Sequence, residues 1–426
     1  MLLVVGVVPS NLGPTGRVRH ASRASDQHGP VSIRRGSSRS HRAPRPARGD
    51  EWDITPTAFG RAGDATARIP GGRVSIPGAI PGEVVRVRAM AQRKGVVHAQ
   101  VVEVLEASPD RVSPPCAEVA RGCGACQWQH LALDAQRAEK RARIAEALAV
   151  ADGALEPTVT LADAAFRTTL DAAVDRGRAG LRRYRSHRTV PIEGCLVAHP
   201  LLAELITDAD YGEATEVLLR CGARTGERMA APLPADVTIR VPADVRRDRI
   251  HEQAAGRTWR ISADSFAQAS PEAMDALVAE VLRAAGEVPI RRAVDLYSGV
   301  GLFAGALADR GWSVTAVEGA PSAVADARHN LRDLEVDVIE DDVTAWRAEP
   351  TELVVADPSR AGLGPDGAAV VDATGATRVA LVSCDAHALA RDAEALRRFG
   401  FDLTRATPLD PFPHTPHVEV VSVLDR

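Results

Sequence analysis

The residues best suited to chemistry in this 426-residue chain are six cysteines, at positions 116, 123, 126, 195, 221 and 384. Cys384 ends the apolar run VALVS and precedes the helix-like DAHALARD. A strand therefore delivers its thiol to a helix N-terminus, surroundings that favour a reactive thiolate. Alone, such a cysteine reads as a buried core residue. Its company points to a nucleophile: Asp357 and Arg360 in DPSRAGL end the preceding strand, and His417-Val418-Glu419 lies in the last strand segment. Cys116, Cys123 and Cys126 form C-x6-C-x2-C, and Cys195 follows in IEGCLVAHP. In a long chain this crowding reads as a metal or cluster site, not a disulfide framework. Four thiolates suit a [4Fe-4S] cluster or a tetrahedral zinc. Structural zinc sites usually pair two C-x2-C knuckles, so three clustered cysteines and a remote fourth favour the iron-sulfur cluster. Cys221 has no such neighbours and is assigned to the core.

A further constellation starts at residues 292–305, RAVDLYSGVGLFAG. An apolar strand ends in Asp295, a turn carries Tyr297, Gly299 and Gly301, and a helix follows. Small residues there let backbone N–H groups and the helix N-terminus approach a ligand. The next strand, WSVTAVE, ends in Glu318, which can accept hydrogen bonds from both hydroxyls of a ribose. VDVIEDDV places Asp342 where an adenine amino group could be read, and ELVVADPSR ends at Asp357-Pro358. Four strands with acids at their carboxyl ends mark the ligand edge of an open α/β sheet. The turn is DxxxGxG, not GxGxxG, which fits S-adenosylmethionine better than NAD.

These groups need elements to hold them. Residues 1–48 carry nine arginines against Asp26 as the one acid, with no periodicity, and read as a disordered basic tail. Over 49–108, short alternating runs broken by Gly and Pro predict a small antiparallel β-barrel. Residues 109–265 form a central α+β unit carrying the four clustered cysteines, with helical spacing over 131–149 and a basic stretch, RRYRSHR. That helix is a candidate to pack on the last unit, 266–426, where helices and strands alternate as in a doubly wound, Rossmann-like sheet. The net charge of −4 hides an asymmetry: residues 1–200 carry 29 Lys+Arg against 19 Asp+Glu, and the remainder 23 against 37. An anion-facing front and an acidic back follow. No run of apolar residues is long enough to span a membrane, and a soluble, cytoplasmic monomer is expected.

The motifs DLYSGVG, DPSRAGL, SCDAHALARD and HVEVVSVL, in this order, resemble those of the RNA uracil-5-methyltransferase family, and FAQ at residues 266–268 resembles its F-x-Q element. The likeness covers residues 55–426. It implies a class I methyltransferase domain that uses S-adenosylmethionine to methylate C5 of a uridine in RNA. Cys384 is then the nucleophile and Glu419 the general base. Asp357 would hydrogen-bond at the target base, and Gln268, like Asp357, would lie between base and cofactor. The resemblance extends to the four cysteines as ligands of a [4Fe-4S] cluster and to the barrel as an OB-like TRAM domain. That combination is similar to the branch acting on 23S rRNA. Two departures bear on target positioning: Asp385-Ala386 stands where the family often has Asn-Pro, and Ser270 where it often has Asn.

RNA contacts are expected from Arg182, Arg183, Tyr184, Arg185, His187 and Arg188, where basic residues flank an aromatic, and from Arg86, Arg88, Arg93 and Lys94 of the barrel. The alternatives are a uridine-54 tRNA methyltransferase and a non-catalytic RNA-binding iron-sulfur protein. A DNA cytosine-5 methyltransferase shares thiolate addition but places its cysteine in a Pro-Cys context nearer the glycine turn, which is absent from this chain.

Overall fold

The computed structural model describes residues 46–70, 72–286 and 291–426. The basic tail expected over 1–48 therefore lies almost wholly outside the described residues.

The first unit is a six-stranded sheet in the spatial order Glu51–Ile54, Val84–Arg93, Val96–Glu106, Gly72–Ile76, Ala65–Ile69, Ala58–Phe59. Alternating Val85, Val87 and Ala89 face Val74, Ile76 and Ala65 in its interior, the period-2 pattern of a half-buried strand. One pairing differs from the expected antiparallel barrel: Gly72–Ile76 runs parallel to Val96–Glu106. The cause is topological, since the chain reverses twice between them, into and out of Val84–Arg93. Register shifts in the long hairpin Val84–Glu106 bend it as bulges do.

A second sheet of six strands, ordered Thr189–Pro191, Arg178–Arg182, Thr169–Asp175, Glu216–Cys221, Arg228–Leu233, Val245–Arg246, forms the centre of the chain. Leu202, Leu205, Tyr211 and Leu219 fill its core, and Cys221 lies among them, fully buried.

The third sheet has eight strands: Val336–Glu340, Ser313–Glu318, Arg292–Leu296, Leu353–Ala356, Arg378–Ser383, Glu419–Asp425, Asp402–Asp410 and Val159–Thr160. The first five are parallel, and Glu419–Asp425 runs antiparallel to both its neighbours. Side chains split by parity. Ala380 and Val382 enter one apolar layer with helices Pro271–Ala285 and Leu302–Ala308; Val379 and Leu381 enter the other with Gly364–Ala373 and Ala386–Arg397. A sheet covered on both faces explains the near-continuous apolar strands of the sequence.

The helix expected over 131–149 forms over Leu133–Leu148 and packs on the second layer through Ile144 and Ala145. Its buried stripe includes Gln136 and Lys140. Lys140 Nζ donates to Asp410 Oδ1 at 2.6 Å and to the Phe412 carbonyl at 2.9 Å, while Gln136 accepts from His414 N at 2.7 Å. Ile250, Trp259 and Ile261, from the hairpin Arg249–Ala254/Arg257–Ser262, join the first apolar layer. The eight-stranded sheet thus draws packing elements from well upstream of residue 266. Among the described residues no helix is long and apolar enough to cross a membrane.

Candidate functional site

Strand Arg292–Leu296 carries Asp295 fully buried, where Oδ2 accepts from Ala304 N at 2.9 Å and so ties strand to helix. Its Oδ1 is buried with no partner among the described residues. The turn that follows bends through positive φ at Tyr297 (+61°), Gly299 (+55°) and Gly301 (+93°). At Gly301 glycine is required twice over, by φ and because a Cβ would lie 2.7 Å from Leu331 Cδ1. Glu318, at the end of the next strand, clamps this turn, accepting from Gly299 N at 2.9 Å and Ala320 N at 2.7 Å. Burial holds the Asp295 carboxyl well above its usual range despite the Ala304 amide, and Asp357 and Glu318 add to the rise.

Asp342 lies two residues beyond strand Val336–Glu340 and is exposed. It accepts from Thr344 N and Oγ1 at 2.8 and 2.6 Å, bonds that keep its carboxyl below the usual range. Tyr297 is half-buried, its hydroxyl pushed up by burial and then by Asp342 and Asp392. Asp295, Tyr297, Gly299, Gly301, Glu318 and Asp342 thus share one sheet edge. Gln268 reaches the same edge through Asp357, to whose Oδ2 its Nε2 donates at 3.3 Å.

Cys384 follows strand Arg378–Ser383 directly, and Ser383 pairs with Val420 of the neighbouring antiparallel strand. One step beyond that register, Cys384 and Glu419 stand opposite each other at the same edge, with Asp357 following the adjacent strand Leu353–Ala356. Electrostatics link the three. Burial pushes the Cys384 thiol up to about 12, the Glu419 and Asp357 charges push the same way, and Arg360 opposes them. Burial, then Asp357, raises Glu419 well above the carboxylate range, again against Arg360. Asp357 is itself raised by burial. Such displaced carboxylates are characteristic of working sites.

Arg360, whose role the sequence leaves open between phosphate binding, capping and a structural salt bridge, rests on His417, with Nη2 at 3.3 and 3.4 Å from its two ring nitrogens. Burial and then Arg360 push His417 down to about 3, so it is neutral beside the guanidinium.

Cys116, Cys123, Cys126 and Cys195 line one small pocket with Glu118, Gln129 and Leu181. Burial pushes Cys123 up to about 11 and Cys126 up to about 12, and raises Cys195. Among the described residues no set of three or more His, Cys, Asp or Glu side chains is drawn around one point as a single metal ion requires.

The RRYRSHR stretch borders this cavity. Cys123 bridges to Arg183, and Gly124 N donates to the Arg182 carbonyl at 3.0 Å. The backbones approach so closely that a Cβ on Gly124 would lie 2.1 Å from Tyr184 N. Most of the stretch is engaged within the molecule. Arg182 pairs with Glu216, Arg183 donates to the Arg121 carbonyl at 3.3 Å, Tyr184 Oη donates to Asp64 Oδ1 at 2.7 Å, and Arg185 pairs with Asp64 at 2.9 Å. His187 and Arg188 stay exposed. On the first six-stranded sheet, Arg86 pairs with Asp53 and Glu103, and Arg88 with Glu51, whereas Arg93 and Lys94 sit at the tip of the long hairpin. Arg61, Gly63 and Asp64, in a short polar loop of that sheet that carries no periodic signal in the sequence, contact the central and C-terminal parts.

No protein-family model matches the chain. An uncharacterised RNA methyltransferase of Streptomyces avermitilis is 36% identical over 428 aligned residues, covering 88% of this chain and 98% of the relative. The 23S rRNA (uracil(1939)-C(5))-methyltransferase RlmD of Chromohalobacter salexigens is 32% identical over 419, covering 85% and 87%. Among solved structures, the Pyrococcus abyssi tRNA (uracil-54, C5)-methyltransferase in complex with S-adenosyl-L-homocysteine aligns with a TM-score of 0.71 at 23% identity, over 88% of this chain and all of that one. At that identity the likeness is one of fold. With relatives above 30% identity along nearly their whole length, the chain belongs to the RNA uracil-5-methyltransferase family.

Proposed function

We propose that the protein methylates C5 of a uridine in 23S rRNA through a covalent adduct on Cys384. The observation that carries this reading is the meeting of Cys384, Glu419 and Asp357 at the ligand edge of the sheet. S-adenosylmethionine supplies the electrophilic methyl group. Asp295 with its unpartnered oxygen, the positive-φ turn and Glu318 are the residues that fit it, with Tyr297 and Asp342 along the same edge.

Uracil C5 is too weak a nucleophile to take a methyl group unaided. The Cys384 thiolate adds to C6, and the electron pair displaced into the ring makes C5 nucleophilic. After C5 is methylated, Glu419 as carboxylate removes the C5 proton, the ring double bond re-forms and the cysteine leaves. A thiol near 12 is mostly protonated at neutral pH, so it must first lose its proton to solvent, and the thiolate that then attacks needs a cation beside it as the charge forms. Arg360, resting on neutral His417, supplies it. Asp357 and Gln268, already joined by a hydrogen bond, would hold the uracil edge.

Cys116, Cys123, Cys126 and Cys195 would hold a [4Fe-4S] cluster as a structural stake between loops. Four cysteines lining one pocket, three of them close in sequence and the fourth remote, supply the four thiolates that such a cluster takes. The rRNA target follows the RlmD relative; the TRAM reading of residues 49–108, with Arg93, Lys94 and Arg188 as phosphate contacts, adds the single-strand binding such a target needs.

Incubation with 5-fluorouridine-containing 23S rRNA and tRNA plus S-adenosylmethionine tests this. Fluorine at C5 blocks proton removal, so a stable adduct should form with rRNA and vanish in Cys384→Ala. An adduct with tRNA alone would move the target, and none with either would refute the mechanism. Anaerobic purification should yield brown protein with about four irons per chain; colourless, zinc-containing protein would reject the cluster.

A further inference from the structure

Residues 60–64 of the barrel, Gly-Arg-Ala-Gly-Asp, join it to every other part of the molecule. The Gly60 carbonyl accepts from Arg143 Nη2 of helix Leu133–Leu148 at 3.2 Å. The Gly63 carbonyl accepts from Trp128 Nε1 at 2.8 Å, two residues beyond Cys126. Gly63, at φ +90°, lies so near the segment before Glu419 that a Cβ would stand 2.7 Å from Pro416 Cγ. Asp64, buried, takes Tyr184, Arg185 and Ser75.

The remaining contact reaches the nucleophile. Arg61 Nη2 donates to Asp385 Oδ1 and Oδ2 at 3.1 and 3.0 Å. Asp385 directly follows Cys384, and its Oδ1 accepts from His387 N and Ala388 N at 3.0 and 2.9 Å, capping helix Ala386–Arg397. We infer that Arg61 is a positioning residue for the reaction: a guanidinium carried by the N-terminal barrel fixes the carboxylate that fixes the turn bearing the Cys384 thiol. This rests on the reading of Cys384 as nucleophile.

Capping alone needs only a neutral acceptor, and asparagine caps a helix as well as aspartate does. The negative charge of Asp385 serves the arginine. Partial burial pushes its carboxyl up, but Arg61 and the two capping amides outweigh this and hold it below the usual range. Arg61 is 61% exposed, so the pair adds little to stability. Its effect belongs in the rate, because a nucleophile displaced by a fraction of an ångström loses reactivity long before the fold is lost.

The test uses the full chain, 5-fluorouridine-containing 23S rRNA and S-adenosylmethionine in single turnover, with RNA affinity and melting temperature measured alongside. Arg61→Ala and Asp385→Asn should each slow adduct formation by roughly tenfold or more at unchanged RNA affinity. The double variant should be no slower than either single one, and Arg61→Lys should recover much of the rate. Arg61→Gln gives the same reading should the alanine variant be unstable. An unchanged adduct rate, a loss that appears wholly as weaker RNA binding, or single effects that multiply in the double variant would each overturn the inference. Absence of adduct in the unaltered protein, matching Cys384→Ala, would instead overturn the nucleophile reading and this inference with it.

Discussion

Two sets of buried carboxylates in this molecule are provided for very differently. Asp326, in the helix Pro321–Asn330 behind the glycine turn, accepts from Arg260 Nε, Ser262 N, Ser262 Oγ and Ser265 Oγ at 2.6 to 2.8 Å. Asp410 takes Lys140 and Arg137, and Glu83 takes Arg111 with the amides of Ile80 and Ser108. At the ligand edge the provision is sparse. Asp295 has one amide for two oxygens, Asp357 has one long bond from Gln268, and the forces on Glu419 are burial and neighbouring charge, with no hydrogen bond among them. A buried charge left unsatisfied costs stability, and a fold that satisfies Asp326 so fully has the means to satisfy the others. The poverty at the edge leaves donors and acceptors open for a ligand, and burial raises all three carboxyls above their usual range.

The sharpest way to break this contrast is Glu419→Gln. Turnover should fall by roughly 10²- to 10⁴-fold while a methylated covalent adduct accumulates, because addition survives and proton removal does not. Gel analysis of protein–RNA adducts checks this; loss of adduct together with turnover would place Glu419 earlier in the sequence. Next in size, Asp326→Ala should destabilise the protein by about 3–5 kcal/mol, since Arg260 is left without its partner. Denaturant unfolding reads this, and an effect below about 1 kcal/mol would erase the distinction between the groups.

Asp357→Asn should act in the opposite direction. The folded-state carboxyl is raised from 3.8 to about 7, so ionising it opposes folding: stability is fully present below its ordinary value and is lost as pH rises through about 7. The asparagine variant escapes that loss and should melt on the order of 2 °C or more higher at pH 8, with no gain at pH 4 and with activity lost. Equal melting at both pH values would show that Asp357 is not a strained acid. Smallest of all, Arg397→Ala removes an exposed pair with Glu394 and should change neither melting nor turnover measurably.

Strand ends were legible because residues buried on both sheet faces leave continuous apolar runs. The acid or thiol closing each run, at 295, 318, 357 and 384, could be picked out by eye. Glu419 needed the family resemblance, since an acid at the start of a strand has no intrinsic signal. Partners distant in sequence left no trace. Arg182–Arg185 look like a free basic face, yet Glu216 and Asp64 are what they meet. Nothing in the sequence of its helix marks Lys140 for burial, yet it is buried on Asp410. Val159–Thr160, the eighth strand of the last sheet, is two residues long and below the reach of periodicity.

The antiparallel insertion of strand Glu419–Asp425 beside Arg378–Ser383 has a consequence for how activity decays. Were that strand parallel, its first residue would sit about 20 Å away, at the far end of a six-residue strand. As built, the nucleophile and the base are spaced by a ladder of backbone hydrogen bonds deep in the sheet, where local opening is as costly as global unfolding. Amide exchange along this ladder should be the slowest in the protein. Gradual warming should therefore cost activity first at the exposed Arg61–Asp385 clasp, while Cys384 and Glu419 remain in register until the whole sheet melts.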